Sequence, residues 1–434
     1  MNLVLSLLGP LLAIKFSRPT DIFRPIFVGE RPHSPGIVAP KRPRYQAAFS
    51  QGCISPGRRY NCRSMKDLLQ QLLRADSTAA QGEVAAAEVI AGHFREHGID
   101  ARVDRWDGRR SNVIAHVKTA HRRPALLFVC HLDVVGPGEE PWRHPPFEGV
   151  EEEGRIYGRG TVDMKGPTAS AITAICEVVA SKATLQGDII FAATAGEETD
   201  SAGVLRFMQD RAWLPKVGGV IIPEPTDLAV VTAHRGLFWL KITTRGKAVH
   251  SSMAERGVNA ISSMKRVLDE LERYRLEFPP HPQLGKSTMS INLIRGGDAM
   301  NIVPDRCTLG VDVRTLPGQD HEAIRYDFER MLAKLKAGVP QFEAELASER
   351  SAGAMETDPE CEFVQRFCAA VEVDLTNAIG FTTDAPHLAP LGAPIVLYGP
   401  GNPKLCHEVD EYIESADLQK AVELFQNVIR QFLT

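Results

Sequence analysis

The 434-residue chain has no apolar run approaching the roughly 20 residues that cross a bilayer, no excess of basic charge and no C-x-x-C pair. The first absence argues against a membrane protein. The second, a formal net charge of −4, leaves no positive field for a phosphate backbone and argues against nucleic acid as a partner. The third leaves eight scattered cysteines, Cys53, Cys62, Cys130, Cys176, Cys307, Cys361, Cys368 and Cys406. They read as reduced, small hydrophobic residues of a cytoplasmic protein rather than a disulfide framework. Internal repeats are missing too, and no low-complexity tract occurs beyond the N-terminal region.

What is present is ordinary for a globular enzyme: 44% hydrophobic and 24% charged residues. The length predicts two domains. Residues 1–64 stand apart. "MNLVLSLLGPLLAIKF" lacks the basic lead and small-residue cleavage site of a signal peptide. The Pro- and Arg-rich segment after it has no periodicity and is expected to be disordered. Patterned sequence begins at Met65, where the working protein is expected to start.

From there helical and strand patterns alternate. "ALLFVCHLD", "GDIIFAATAGEE" and "VGGVIIPEP" are short apolar runs of the kind that form buried strands, with helical segments such as "MKGPTASAITAICEVVAS" between them. This predicts an α/β domain with a mostly parallel central sheet flanked by helices. Near Gly236 the pattern changes to β-α-β-β-α-β, a split βαβ (ferredoxin-like) unit over residues 236–351. The α/β pattern then resumes. The expected organisation is one domain, 65–235 and 352–434, with a second inserted into it.

Acidic residues and histidines gather at the ends of the predicted strands, where ligands bind in open α/β sheets. His131 and Asp133 stand two apart on a predicted strand and so face the same side, where the carboxylate can orient an imidazole whose other nitrogen binds metal. Taken alone, the pair also reads as a hydrogen-bonded core histidine. Asp163 alone reads as a helix N-cap. Glu197 and Glu198 end an apolar strand, where their mutual repulsion is unfavourable without a cation, although the pair also reads as a solvated loop. Glu224 and His407 say little singly. Together, two histidines and several carboxylates suit a borderline metal such as zinc, and a bridging carboxylate can hold two ions.

The segments "HLDVV", "GRGTVDMKG", "AGEE", "PEPT", "GKAVHSS", "MNIVPD", "VDVRTLPG" and "CHEVDEYI" occur in one order from about residue 66 onward. In them the chain resembles the di-zinc amidohydrolase and peptidase family that includes acetylornithine deacetylase, succinyl-diaminopimelate desuccinylase, aminoacylase and carboxypeptidase G. The resemblance implies two zinc ions, with cobalt able to substitute. Asp163 would bridge them, His131 and Glu224 would complete one site, and Glu198 and His407 the other. Glu197 would be the general base and Asp133 would steady His131. The inserted unit would be a lid that also forms a homodimer, with His250 reaching substrate across the dimer. Arg314 would clamp a substrate carboxylate, while Asn301 and Gly399 would add contacts. Taken without the resemblance, His250 reads as a surface histidine, Arg314 as a surface ion pair, and Asn301 and Gly399 as turn residues. Cys130 departs from the glycine common in the family.

The implied reaction is hydrolysis of the amide bond of an N-acyl-L-amino acid. The segment from Ala233 to Ile261 and "GPGNPKLCHEVDEYIE" are most similar to the acetylornithine deacetylase branch, which points to N-acetylornithine and arginine biosynthesis. Desuccinylase, aminoacylase and dipeptidase activities are the rivals, and a non-catalytic binding protein is the alternative of another class. A cysteine hydrolase using Cys130 and His131 is disfavoured, because neighbours on a strand point to opposite faces.

Overall fold

The computed structural model describes residues 62–120 and 122–434. The disorder expected for the N-terminal segment therefore falls, over residues 1–61, outside the described residues.

The chain enters through helices α1 (Cys62–Arg74) and α2 (Val84–Glu96), then strands β1 (Asp100–Trp106), β2 (Arg110–Val117), β3 (Ala125–His131), β4 (Val150–Glu152) and β5 (Arg155–Tyr157). Next come α3 (Lys165–Ala180), β6 (Ile189–Thr194), α4 (Ala202–Gln209), β7 (Val217–Ile222) and β8 (Val230–His234). The segment β9 (Gly236–Arg245), α5 (Ala260–Leu271), β10 (Thr288–Gly296), β11 (Arg306–Thr315), α6 (His321–Gly338) and β12 (Glu343–Ala352) follows. The chain closes with β13 (Met355–Glu356), α7 (Glu362–Val371), β14 (Thr376–Ile379), α8 (Ala385–Leu388), β15 (Ile395–Leu397), β16 (Tyr412–Glu414) and α9 (Ser415–Leu433).

A nine-stranded sheet runs β1-β2-β6-β3-β7-β15-β8-β13, with β14 also paired to β8. Its centre, β6, β3, β7 and β15, is parallel. Antiparallel pairs flank that centre on both sides. The central strands are apolar on both faces because both are covered. On β3, Leu126, Phe128 and Cys130 pack into one core with α1, α2, α3, α7 and α9, while Ala125, Leu127 and Val129 pack into a second core with α4 and α8. This period of two puts Cys130 and the next residue, His131, on opposite faces. Helix α9 shows the matching helical rule: Leu418, Val422, Phe425, Ile429 and Phe432 recur at three- and four-residue intervals and are buried.

The second sheet has the order β10-β11-β9-β12, all antiparallel, with α5 and α6 on one face. In chain order that is 2-3-1-4, the arrangement of a split βαβ unit. A small third sheet, β16-β5-β4, was not anticipated from sequence. Among the described residues no helix is long and apolar enough to cross a membrane. The thiols of Cys130, Cys176, Cys307, Cys361, Cys368 and Cys406 are all free.

Candidate metal centre

The parallel strands β3, β6 and β7 deliver their C-terminal ends to one place, and the side chains just past those ends define it. His131 is the last residue of β3 and is buried. The turn after β6 carries Glu197 and Glu198. Gly196 makes that turn possible: its φ is +81°, and a Cβ there would lie 1.9 Å from an Arg110 guanidinium nitrogen. Glu224 lies two residues past β7 and is buried. Asp163 precedes α3, and His407, with φ +66°, precedes β16.

These residues form two overlapping triads. The donor atoms of His131, Asp163 and Glu224 lie within 4.8 Å of one another, as do those of Asp163, Glu198 and His407. Asp163 belongs to both. A third grouping, His131, Glu197 and Glu198, satisfies the same limit and brings Glu197 to the rim of both triads. The His131 Nε2 lies 2.9 Å from Asp163 Oδ1. The His407 Nε2 lies 2.8 Å from Glu198 Oε1 and 3.4 Å from Asp163 Oδ2.

Electrostatics explain what such a cluster needs. Burial and the neighbouring charges, Asp163 first, push the Glu224 carboxyl up to about 8. Burial, with Asp384, Glu198 and Glu224, pushes Glu197 well above the carboxylate range. Burial opposes charge on His131 as well, but the hydrogen bond and charge of Asp163 outweigh it and hold the ring's pKa well above normal. Hydrogen bonds to Asp163 and Glu198 raise His407 to about 10. Each histidine thus turns a ring nitrogen toward the carboxylates, a contact that a cation held by the same groups would replace. Two imidazoles and three carboxylates are a competent donor set for borderline divalent ions, and the residues fit a pair of them.

Two roles read from sequence differ in the structure. Strand β3 ends at His131, so Asp133 lies beyond it and the shared-face argument does not apply. The His131 Nδ1–H donates to the backbone carbonyl of Asp133 at 2.9 Å, while the Asp133 carboxylate is 3.8 Å from that nitrogen. The carboxylate instead accepts from three successive backbone N–H groups, Gly196 at 2.8 Å, Glu197 at 3.0 Å and Glu198 at 2.9 Å. Asp133 therefore fixes the glutamate turn, and only its main chain orients the histidine. Nor does Asp163 cap α3: the N-cap residue is Met164, and no side chain caps it.

The remaining candidates are placed as follows. His250 is exposed, and its Nδ1 contacts the Ser252 hydroxyl at 2.7 Å. The backbone carbonyl of Asn301 accepts from Ser251 N–H at 3.0 Å, which holds these two segments side by side. Arg314 is paired with Asp312, two residues away on β11, through Nε at 2.9 Å and Nη2 at 3.1 Å. In this chain it is an intrastrand ion pair, not a group joined to the carboxylate cluster. Gly399 makes a close approach, but to the protein itself: a Cβ there would lie 2.6 Å from the Glu224 carbonyl oxygen.

Several supporting residues were given no role from the sequence. Glu411, fully buried, accepts from Val162 N–H at 2.7 Å and Asp163 N–H at 3.2 Å, and from Arg159 at 2.6 Å. Arg159 also donates to the His407 carbonyl at 3.1 Å. This buried ion pair ties the backbone of Asp163 to that of His407. Arg350, on β12 of the second sheet, reaches into the first and donates to the carbonyls of both Glu197 and Glu198. Asp384 is buried nearby, and burial raises its carboxyl to about 6.

Comparison with known proteins shows the family and the fold. The profile of Peptidase family M20/M25/M40 matches residues 127–431. A probable succinyl-diaminopimelate desuccinylase of Staphylococcus aureus is 29% identical over 392 residues, covering 82% of this chain and 94% of that protein. An acetylornithine deacetylase of Myxococcus xanthus is also 29% identical, covering 85% and 97%. Among solved structures, an M20 family metallo-carboxypeptidase from Sulfolobus solfataricus superimposes with a TM-score of 0.71 at 18% identity, covering 85% of this chain and 99% of that one. A dinuclear metal binding peptidase of the M20 family from Bacillus subtilis gives 0.63 at 16% identity, covering 85% and 98%.

Proposed function

Because the chain belongs to peptidase family M20/M25/M40, we propose that it hydrolyses the amide bond of an N-acyl-L-amino acid at a pair of divalent metal ions, zinc with cobalt able to substitute. The observation that carries this reading is the pair of donor triads sharing Asp163. In it His131, Asp163 and Glu224 hold one ion, and Asp163, Glu198 and His407 the other. Bound ions of this kind supply acidification of water and polarisation of the scissile carbonyl.

The chain's own residues do the rest. Glu197 sits beside both triads without being needed by either, and a carboxylate so placed is suited to take a proton and return it to the leaving amine. Asp133 holds Glu197 in place through its backbone N–H. His250 and Asn301 lie together on the second sheet's loops and are assigned to substrate contact from a second copy of the chain. Strand β10 supports such a homodimer: it is an edge of its sheet and exposes Ile291, Leu293 and Ile294. Arg314 would meet a substrate carboxylate by exchanging it for Asp312.

N-acetylornithine is the first substrate candidate, in line with the similarity to acetylornithine deacetylase. An N-succinyl substrate is the rival, in line with the desuccinylase relatives. A panel of N-acetyl and N-succinyl amino acids and dipeptides, assayed with zinc and cobalt, separates them. Glu197→Gln is expected to retain both metals by elemental analysis and to lose about 10²–10⁴-fold in kcat. Undiminished turnover in that variant would remove Glu197 as the base.

A further inference from the structure

A second cluster of metal-ligating side chains lies away from the strand ends. His93 and His97 stand four apart at the C-terminal end of α2, and Cys176 lies on α3. The donor atoms of all three are within 4.8 Å of one another. Cys176 is 3% exposed, whereas both imidazoles are only partly buried. The cluster is separate from the centre already described. From Lys165, beside Asp163, to Cys176 is eleven residues of α3, about 16 Å at 1.5 Å per residue.

We propose that His93, His97 and Cys176 form a third metal site, one that takes a single zinc-class divalent cation and ties α2 to α3. Three features carry this. Residues four apart on a helix face the same way, which makes a His-x3-His pair a natural chelate. Second, tetrahedral zinc with nitrogen and sulfur ligands needs donors about 3.3–3.6 Å apart. The donor atoms already lie within 4.8 Å of one another, so an ion draws together groups that are close neighbours.

The third feature is the orientation of one ring. The His97 Nδ1 lies 2.8 Å from the His93 backbone carbonyl. Nδ1 therefore carries the hydrogen and donates it, which leaves Nε2 as the nitrogen with a free lone pair. A backbone carbonyl fixing the tautomer in this way is the usual support behind a metal-binding histidine. On binding, the Cys176 thiol gives its proton to solvent as the S–metal bond forms. The fourth position is left to water, which the partly exposed imidazoles admit.

The donor set also supplies the test. The carboxylate-rich centre offers nitrogen and oxygen only, so a thiolate-to-cobalt charge-transfer band reports on a sulfur ligand and not on the catalytic pair. The full-length protein is stripped with chelator and titrated with Co²⁺, and metal content is measured separately after Zn²⁺ loading. The expected results are three zinc ions per chain and a charge-transfer band. That band should be lost in Cys176→Ser and in His93→Gln, which each keep two zinc ions and the wild-type kcat. His93→Gln changes a partly exposed side chain and so guards against misfolding of the cysteine variant. A stoichiometry of two with no band would overturn the proposal. So would a band that persists in both variants, since it would then arise at another cysteine. Failure of the proposed hydrolysis would leave the band untouched.

Discussion

Replacing Glu411 by alanine tests how the candidate centre is held together. The carboxylate receives Arg159 at 2.6 Å, Val162 N–H at 2.7 Å and Asp163 N–H at 3.2 Å, in a place with no exposure to solvent. Its removal leaves a buried guanidinium unpaired, which costs about 3–5 kcal/mol. It also orphans two backbone donors at about 1–3 kcal/mol each. These costs overlap, because water entering the vacated space satisfies part of both. The loss of stability should still reach at least about 3 kcal/mol, the lower bound for the ion pair alone. A second effect is distinct: Asp163 and the His407 carbonyl lose their common anchor, so metal affinity should fall about 10–100-fold, as for other groups that support ligands. Urea unfolding of the metal-free protein reads the first effect, and competition with a chromophoric chelator reads the second. The double variant Arg159→Met/Glu411→Leu should recover the part due to the stranded charge but not the part due to the two N–H groups. If Glu411→Ala unfolds within about 1 kcal/mol of wild type, the smallest of the penalties above, and binds metal equally well, the anchoring argument is wrong.

Two other perturbations follow from the same geometry. Arg350→Ala frees the carbonyls of Glu197 and Glu198 from the second sheet, and should lower kcat about 10–100-fold with metal content unchanged; Arg350→Lys should restore part of it, and an unaltered kcat in the alanine variant would show that the contact positions nothing. Lys165 is buried, donating to the carbonyls of Leu72 and Ala75, and burial lowers its pKa to about 7. Between pH 7 and the unfolded lysine value the unfolded chain holds one more proton, so stability rises with pH there, by up to about 1.4 kcal/mol per unit. Wild type should therefore gain on Lys165→Met as pH climbs from 7 to 10, and a constant difference between their urea midpoints would refute the assignment.

The sheet and its binding edge were legible because parallel strands buried on both faces read as unbroken apolar runs, and acids at the ends of such runs have no apolar role to play. His131, Asp163, Glu198, Glu224 and His407 were all named on that basis together with the family likeness, and they do come together. Asp133 was misread because periodicity cannot tell where a strand stops: two residues past the end, the side chain turns to a neighbouring loop. Glu411 and Arg159 lie inside two of the matched segments but were given no role, because a buried ion pair has no period and its members lie some 250 positions apart. Arg350 sits beside an irregularity in the pairing of β12 with β9, a departure that alternation alone does not forecast. Arg314 met a partner within its own strand, a possibility the residue pattern leaves open.

The nine-stranded sheet draws strands from both sides of the four-stranded one, and this has a consequence for synthesis. A chain emerging from the ribosome presents His131, Asp163, Glu198 and Glu224 early, then must complete more than a hundred residues of another folding unit before β15 and His407 arrive. Until then β7 lacks a neighbour on one side and one triad lacks its imidazole. An unfinished polypeptide thus exposes an open sheet edge and a half-made acidic nest, and the segment that follows the second sheet is the one that closes both.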